Sequence, residues 1–239
     1  MRVITFHRMI DRALVIVSRT PLPKEVNASL VPPLTHEEAA ELHASMLFDI
    51  VERAALHLHA QPYVYFDPAD ARMDFEHVFR HANFEYKLKP AGGGKLSEKI
   101  GNAVDNVFTD GAKRLLYVDI DAAIVPLQSV RIGYELMGLD DDVVVLGPDM
   151  SDQLYLVGLK KPHVGVFDSL NAKDPFEVAM KISTPLSSML FTLERSQCVR
   201  DLAGLRRVYT SFMTNGQTIE HARRTTEFLH ALKERYGDI

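Results

Sequence analysis

Two carboxylates one residue apart are the part of this sequence best suited to chemistry. Asp119 and Asp121 end a run over residues 114–121 whose apolar residues are typical of a buried strand. Side chains two positions apart share one face, so both carboxylates would lie together if the strand continues through them. Because ligands of α/β proteins gather at the carboxyl ends of strands, the pair could hold Mg²⁺ or Mn²⁺ and the phosphates that such an ion carries. The alternative is structural, since an aspartate at a strand end often caps a turn.

A glycine run stands before a predicted helix. Residues 92–94 are all glycine, and Lys95 follows them. Glycines let backbone N–H groups approach an anion, and a helix N-terminus favours negative charge, so this segment could receive a phosphate. It is not a Walker A motif, because Leu96 stands where that motif has a hydroxyl. A flexible loop that only leads into the helix is the alternative.

The histidines and the single cysteine indicate structural roles. His77 and His81 lie four residues apart on a predicted helix without a third ligand at a recognisable spacing, so we interpret them as solvated surface residues. Cys198 lies in a segment with core spacing, and we interpret it as a buried structural thiol. A chain with one cysteine forms no internal disulfide, which favours the reducing cytoplasm.

Composition bounds the class of protein. The 239 residues are 46% hydrophobic and 25% charged, which predicts one domain over residues 1–239 around one core. The formal charge of −5 argues against nucleic acid or an anionic membrane as a partner, because both select basic surfaces. No apolar run approaches the ~20 residues of a membrane span, and charges interrupt the first residues where a signal peptide would be apolar. We therefore predict a cytoplasmic protein without a membrane partner.

Alternating strand and helix patterns organise the chain. Thr35 and Glu38 form a capping-box pattern ahead of apolar residues at helical spacing, which predicts a helix over residues 36–59. The same reasoning predicts strands at 14–18, 63–66, 84–88, 114–120, 142–148, 153–159 and 206–210, and further helices at 71–82, 96–108, 127–137, 187–204 and 217–236 and from Pro175 onward. The short turn between the fifth and sixth strands indicates a hairpin. A mostly parallel, mixed sheet between helical layers follows.

In chain order these motifs resemble a family of bacterial proteins with the GT-A fold, the selenodomain-associated or radical-SAM-associated glycosyltransferase-like group. The resemblance covers about residues 14–209. The family's Pro-x-Pro-Gly-x-x-Lys-Thr-Arg-Leu loop is similar to residues 21–30, where Asn27 and Ser29 occupy the Lys and Arg positions. Its Gly-Asp-Leu-Gly-x-Arg stretch is similar to residues 94–99, which end in lysine.

Further motifs of that family correspond to later segments. Its Gly-Ser-Asp-Cys-Pro-x-Leu-Pro motif, whose Asp is the expected metal ligand, corresponds to residues 119–126 and places that ligand at Asp121. Its Gly-Pro-x-x-Asp-Gly-Gly-Tyr-Tyr-Leu-x-Gly-Leu hairpin is similar to residues 147–159, with Asp152 at a glycine position. Its Trp-Ser-Thr is similar to residues 182–184.

The resemblance implies a GT-A-like three-layer α/β/α sandwich with a mostly parallel mixed sheet, followed by the C-terminal helix 217–236. It also implies Mg²⁺ or Mn²⁺ held by Asp121 with Asp119, and a catalytic role for Asp121 itself. Asp152 or Asp149 would supply a second ligand or a general base. The residues expected to bind the phosphates of the nucleotide are Lys24, Gly94, Lys95 and Lys99.

Two functions remain as hypotheses at this stage. The first is a metal-dependent glycosyl or nucleotidyl transferase that acts on a nucleotide or nucleotide sugar. The second is a noncatalytic relative that serves as a binding, regulatory or oligomerisation module, because the loop over residues 21–30 lacks the basic pair of the family. Both leave a homo-oligomer open.

Overall fold

The computed structural model of the chain describes residues 10–122, 124–187, 189–214 and 219–237. Its strands are β1 (Ile10–Arg19), β2 (Gln61–Asp67), β3 (Lys87–Pro90), β4 (Ala112–Val118), β5 (Val143–Pro148), β6 (Leu154–Leu159) and β7 (Met189–Thr192). Within the described ranges they form one seven-stranded sheet in the order β3-β2-β1-β4-β6-β5-β7. β6 pairs antiparallel with β4 and β5, and the other neighbouring strands pair in parallel. The predicted mixed, mostly parallel sheet is confirmed.

Helices cover both faces of this sheet. They are α1 (His36–Leu56), α2 (Arg72–Val78), α3 (Leu96–Thr109), α4 (Leu127–Leu136), α5 (Pro175–Ser183), α6 (Leu202–Thr214) and α7 (Arg223–Tyr236). One apolar core joins the sheet to α1, α2, α4, α6 and α7. A second core joins the opposite face to α3, α5 and a 3-10 segment, Val164–Asn171. The result is the predicted three-layer arrangement. Within the described part of the chain, no helix combines the length and apolar character that crossing a bilayer requires.

Local sequence signals account for several helix ends. The hydroxyl of Thr35 accepts a hydrogen bond from the Glu38 amide, and the Glu38 carboxylate accepts one from the Thr35 amide. This capping box satisfies two otherwise unpaired donors, so α1 begins where the sequence predicts. α3 ends before Gly111, whose φ of +95° suits glycine.

Two predicted elements near the C-terminus are wrong. Residues 189–192 are not part of a helix over 187–204; they form β7, which pairs with the open edge of β5. Residues 206–210 are not a strand but lie inside α6. The apolar residues of α6 recur at helical spacing and face the core, which outweighs the β-branched and aromatic character of the run at 208–210; they are Leu205, Val208, Tyr209 and Phe212.

Other boundaries shift by a few residues. β4 ends at Val118, and a 3-10 turn over Ile120–Ala122 replaces the predicted continuation to residue 120. α7 begins at Arg223, and residues 217–218 of its predicted span lie outside the described ranges. Cys198 lies in irregular backbone instead of a helix, but it is buried as predicted, and burial raises the pKa of its thiol.

Candidate functional site

Three carboxylates converge on one arginine at the carboxyl end of β4. The Nη1 atom of Arg200 donates to Asp119 Oδ2 at 2.6 Å and to Asp121 Oδ2 at 3.5 Å. Its Nε atom donates to Asp149 Oδ2 at 2.6 Å, and its Nη2 atom donates to the Leu154 carbonyl at 2.9 Å. We call Asp119, Asp121, Asp149 and Arg200 the arginine-centred cluster.

The end of β4 places the first two carboxylates. The Asp119 amide donates to the Tyr155 carbonyl of β6, and the Asp119 carbonyl accepts from Ala122, which closes the 3-10 turn. Asp121 lies inside that turn. The pair therefore reaches one arginine through a turn after β4, although the predicted strand geometry that was to bring the two carboxylates together is absent.

The tight turn between β5 and β6 places Asp149. Its Oδ1 atom accepts hydrogen bonds from the amides of Ser151 at 2.7 Å and Gln153 at 3.0 Å. Its Oδ2 atom faces Arg200, and the residue is 2% exposed. One carboxylate thus stabilises the turn and completes the cluster.

Arg200 arrives on the irregular segment over residues 193–201, between β7 and α6. Backbone hydrogen bonds join this segment to the sheet edge, where the amide of Ser196 donates to the Pro148 carbonyl and the amide of Val199 donates to the Asp121 carbonyl. At its end, the Asp201 carboxylate accepts from the Gly204 amide in the first turn of α6. Hydrogen bonds of the residues before and after Arg200 in the sequence therefore fix the position of its backbone.

Burial and mutual repulsion alter protonation in the cluster. Burial, with the neighbouring charge of Asp119, raises the pKa of Asp121 to about 8, against the opposing effect of Arg200. Burial also disfavours the charged form of Arg200, but the carboxylates of Asp119 and Asp121 outweigh it and raise the pKa of the guanidinium. The cluster consequently holds a proton on its carboxylates near neutral pH, while Arg200 stays charged.

The predicted phosphate loop after β1 also contacts the cluster. Ser29, at the Arg position of the resembled family, donates its hydroxyl to the Arg200 carbonyl at 2.8 Å. At the end of β1, Ser18 Oγ lies 3.0 Å from His43 Nε2 in the interior. Burial lowers the pKa of His43 to about 4, so its imidazole is neutral near pH 7. The loop therefore supplies the Ser29 hydroxyl to the cluster, while β1 and α1 supply the paired Ser18 hydroxyl and neutral His43 imidazole.

The lysines expected to bind phosphate lie along the same sheet edge but serve other contacts. Lys99 Nζ pairs with Asp67 Oδ2 at 2.7 Å, at the end of β2. The Lys95 amide donates to the carboxylate of Glu98, and Lys24 has a φ of 72° in the exposed first loop. Among the described residues, no hydrogen bond or ion pair joins Lys24, Gly94, Lys95 or Lys99 to Asp119 or Asp121. Their phosphate-binding role stays a prediction.

Asp152 lies at the hairpin tip and faces a different arginine. Its Oδ1 atom pairs with Arg195 Nη2 at 2.5 Å, and the side chain is about half exposed. Of the two hairpin acids considered from the sequence, Asp149 is the one that contacts Arg200. The catalytic role of Asp152 stays a prediction.

The acidic site, as the structure arranges it, does not fit a divalent ion. Three carboxylates have the right chemistry for Mg²⁺ or Mn²⁺. Their Oδ2 atoms, however, are hydrogen-bonded to Arg200, and no set of three or more His, Cys, Asp or Glu side chains within the described ranges is arranged to hold a metal ion. The arrangement therefore does not fit such an ion, and Mg²⁺ or Mn²⁺ at Asp119 and Asp121 stays a prediction.

Arg200 is the residue that sequence reasoning missed. It lies 51, 79 and 81 positions from the three acids that it contacts, in a segment predicted to be a helix. Charge balance was the available signal: buried carboxylates need a cation, and the nearby loop over residues 21–30 lacks the basic pair expected there. That signal indicates that a cation is needed but not which one.

Comparison with known proteins places the chain by its fold. No family model matches it, and no curated protein matches it. Among solved structures, a candidate nucleotide-diphospho-sugar transferase from Desulfovibrio desulfuricans G20 superposes with a TM-score of 0.70 at 19% identity, covering 97% of this chain and 100% of that one. The chain therefore has the fold of the nucleotide-diphospho-sugar transferases, as the sequence predicts.

Two more distant structures share this fold. The 4-diphosphocytidyl-2C-methyl-D-erythritol synthase from Anaerococcus prevotii DSM 20548 gives a TM-score of 0.55 at 7% identity, covering 85% of this chain and 99% of that one. A CMP:2-keto-3-deoxy-manno-octonic acid synthetase in complex with CTP gives 0.51 at 12% identity, covering 86% and 99%. These likenesses concern the fold, and the narrower resemblance to the selenodomain-associated group stays a prediction.

Proposed function

We propose that this protein binds a nucleotide or nucleotide sugar at the carboxyl edge of its sheet and transfers the nucleotidyl or glycosyl group to an acceptor. The observation that carries the proposal is the arginine-centred cluster, which lies where ligands of open α/β sheets bind. The proteins that share the fold support it, since they are described as a candidate nucleotide-diphospho-sugar transferase, a diphosphocytidyl-methylerythritol synthase and a synthetase solved with CTP.

The residues of the chain have distinct roles in this proposal. The Arg200 guanidinium is a fixed cation that offsets part of the negative charge of the carboxylates at the edge where a phosphate would approach. Asp121 and Asp119 orient that guanidinium through their carboxylates. A cavity of about 410 Å³ adjoins the segments that carry these residues, and its charged lining residues are Arg53, Arg195 and Glu220. It leaves room for a sugar-bearing substrate.

Thermal unfolding with candidate ligands tests the proposal. CTP, GTP and UDP-glucose are added separately to the purified protein, with and without Mn²⁺. A ligand at about 100 times its Kd should stabilise the folded state by about 2.7 kcal/mol, which raises Tm by roughly 5–10 °C for a chain of this size. Asp121→Asn should reduce the shift, while Asp141→Asn, which removes an exposed acid elsewhere, should retain it. The proposal fails if no nucleotide shifts Tm under any condition.

A noncatalytic binding module is the second candidate, favoured by one observation. At the position where the resembled family carries a loop arginine, Ser29 donates its hydroxyl to a backbone carbonyl and offers no charge. Product analysis separates the two candidates. Nucleotide binding with neither transfer nor hydrolysis of the nucleotide supports the binding module, whereas turnover that Asp121→Asn lowers supports the transferase.

A further inference from the structure

We propose that Arg200 is the resident cation of the acidic site, so that a guanidinium takes the place of a divalent ion among its three carboxylates and the protein binds its ligand without that ion. The part of this inference that concerns the ligand rests on the proposed function. Its statement about metal binding rests on the cluster geometry alone. The role assigned to Arg200 is that of a positioning residue that decides which cation the site accepts.

The hydrogen bonds of the guanidinium fill the centre of the cluster. Nε and Nη1 use the inward-facing Oδ2 atoms of all three carboxylates, at 2.6 Å for Asp149, 2.6 Å for Asp119 and 3.5 Å for Asp121. A divalent ion binds carboxylate oxygens at about 2.0–2.6 Å, so it would have to displace these donors. The guanidinium and the ion therefore compete for the same oxygens.

A neutral contact anchors the guanidinium in addition to the charges. Nη2 donates to the Leu154 carbonyl at 2.9 Å, in the first residue of β6. The planar fork of arginine matches this set of acceptors on different sides, whereas a lysine ammonium has no such fixed geometry. An ion that enters would leave the Leu154 carbonyl without this donor.

The backbone on both sides of Arg200 holds the side chain in place. The Val199 amide donates to the Asp121 carbonyl at 3.0 Å, and the Arg200 carbonyl accepts from the Ser29 hydroxyl at 2.8 Å. The arginine is thus tied to the β4 end and to the first loop at the same time. Little conformational entropy remains to be lost when it neutralises the acids, which favours it over an ion taken from solution.

Manganese binding tests the inference without any nucleotide. The purified wild-type protein, Arg200→Ala and Arg195→Ala are titrated with Mn²⁺, and free Mn²⁺ is followed by electron paramagnetic resonance. Arg195 is the matched control, because it lies on the same 193–201 segment, pairs with the Asp152 carboxylate, and contacts the cluster only through the backbone carbonyl of Asp149. We expect Arg200→Ala to gain one Mn²⁺ site, about tenfold or more tighter than any in the wild type or in Arg195→Ala.

A double variant and a folding control make the outcome decisive. The gained site should disappear in Arg200→Ala combined with Asp121→Asn. Equal Mn²⁺ affinity in the wild type and Arg200→Ala overturns the inference, as does a folded Arg200→Ala that gains no site. If Arg200→Ala is unfolded in metal-free buffer, refolding on addition of Mn²⁺ supports the inference, and failure to refold with Mn²⁺ counts against it.

Thermal unfolding with nucleotides, in EDTA and in Mn²⁺, distinguishes failure of this inference from failure of the proposed function. If a nucleotide raises the Tm of the wild type, the shift should be the same in EDTA as in Mn²⁺. A shift that requires Mn²⁺ overturns the inference while it supports the transferase proposal. Absence of any nucleotide shift removes the transferase proposal, and the Mn²⁺ titration still decides the role of Arg200.

Discussion

At the residue scale, Asp121 keeps its proton up to a pH far above the ordinary pKa of an aspartate. Burial and the adjacent charge of Asp119 raise its pKa to about 8, while the unfolded chain returns it to about 3.9. Between these pH values the folded state binds the proton and the unfolded state does not, so this group makes the folded state less stable as pH rises through that window. Below it both states are protonated.

The variant Asp121→Asn should remove this pH dependence, because asparagine resembles the protonated acid at every pH. We expect the Tm of Asp121→Asn relative to wild type to rise between about pH 5 and about pH 8. Burial lowers the pKa of His43, so this group affects the pH dependence of stability in the opposite direction. Its contribution is present in both proteins and cancels in the difference. Differential scanning fluorimetry across that range measures the difference. For Asp141→Asn, at an exposed position, the Tm difference from wild type should not change with pH. A pH-independent difference for Asp121→Asn would contradict the raised pKa of Asp121.

At the element scale, the antiparallel strand β6 lies between β4 and β5 and presents Leu154 to Arg200. Close packing on both sides of β6 depends on Gly158. A Cβ atom there would lie 2.9 Å from Leu116 Cδ2 on β4 and 3.0 Å from Val145 Cβ on β5. Glycine is therefore required for side chains of the neighbouring strands to approach the backbone of β6.

We expect Gly158→Ala to lower the free energy of unfolding by about 1–3 kcal/mol, because the added methyl group forces both neighbours to move. Urea denaturation measures the change. An unaltered dependence of the unfolding free energy on urea concentration would show that the folded state stays compact. Gly165→Ala is the matched control, since a Cβ atom at that position meets nothing within 4 Å. Equal losses for the two variants would contradict this account of β6.

At the scale of the whole molecule, α7 packs against α1 and joins distant parts of the chain. The buried Asp49 of α1 accepts hydrogen bonds from the amides of Arg224 at 3.2 Å and Thr225 at 2.7 Å, in the first turn of α7. At the other end, Glu38 pairs with Arg235 and accepts from the Tyr236 hydroxyl at 2.9 Å. A carboxylate from one helix thus supplies the N-terminal cap that α7 lacks in its own sequence.

Asp49→Ala should leave those two amides unpaired in the interior and loosen α7. The expected cost is about 1–3 kcal/mol of unfolding free energy. Hydrogen exchange read by mass spectrometry should speed up most in peptides covering residues 219–237, because the loss is local to the docking of α7. Glu41→Ala, at an exposed position on α1, should leave exchange unchanged. Uniformly faster exchange throughout the chain in Asp49→Ala would indicate a global effect instead.

The sequence by itself determined the elements whose signals are local. The apolar runs of β1, β2, β4, β5 and β6 and the capping box at Thr35 and Glu38 act over a few residues, so each could be recognised without knowledge of its neighbours. These elements were enough to predict the mixed sheet and its layers. The strand pattern also placed Asp119 and Asp121 at the carboxyl edge, where the structure has them, and the resemblance singled out Asp121 as the expected metal ligand.

Only the tertiary structure decided the path and role of the chain after residue 187. β7 exists because β5 offers an open edge, and the 193–201 segment is irregular because its hydrogen bonds go to the sheet edge instead of to itself. Arg200 reaches Asp119 across 81 positions, a pairing that no local pattern encodes. Its physical cause is the cost of bringing one buried and two partly buried carboxylates together, which arises only when the fold has brought them to one place.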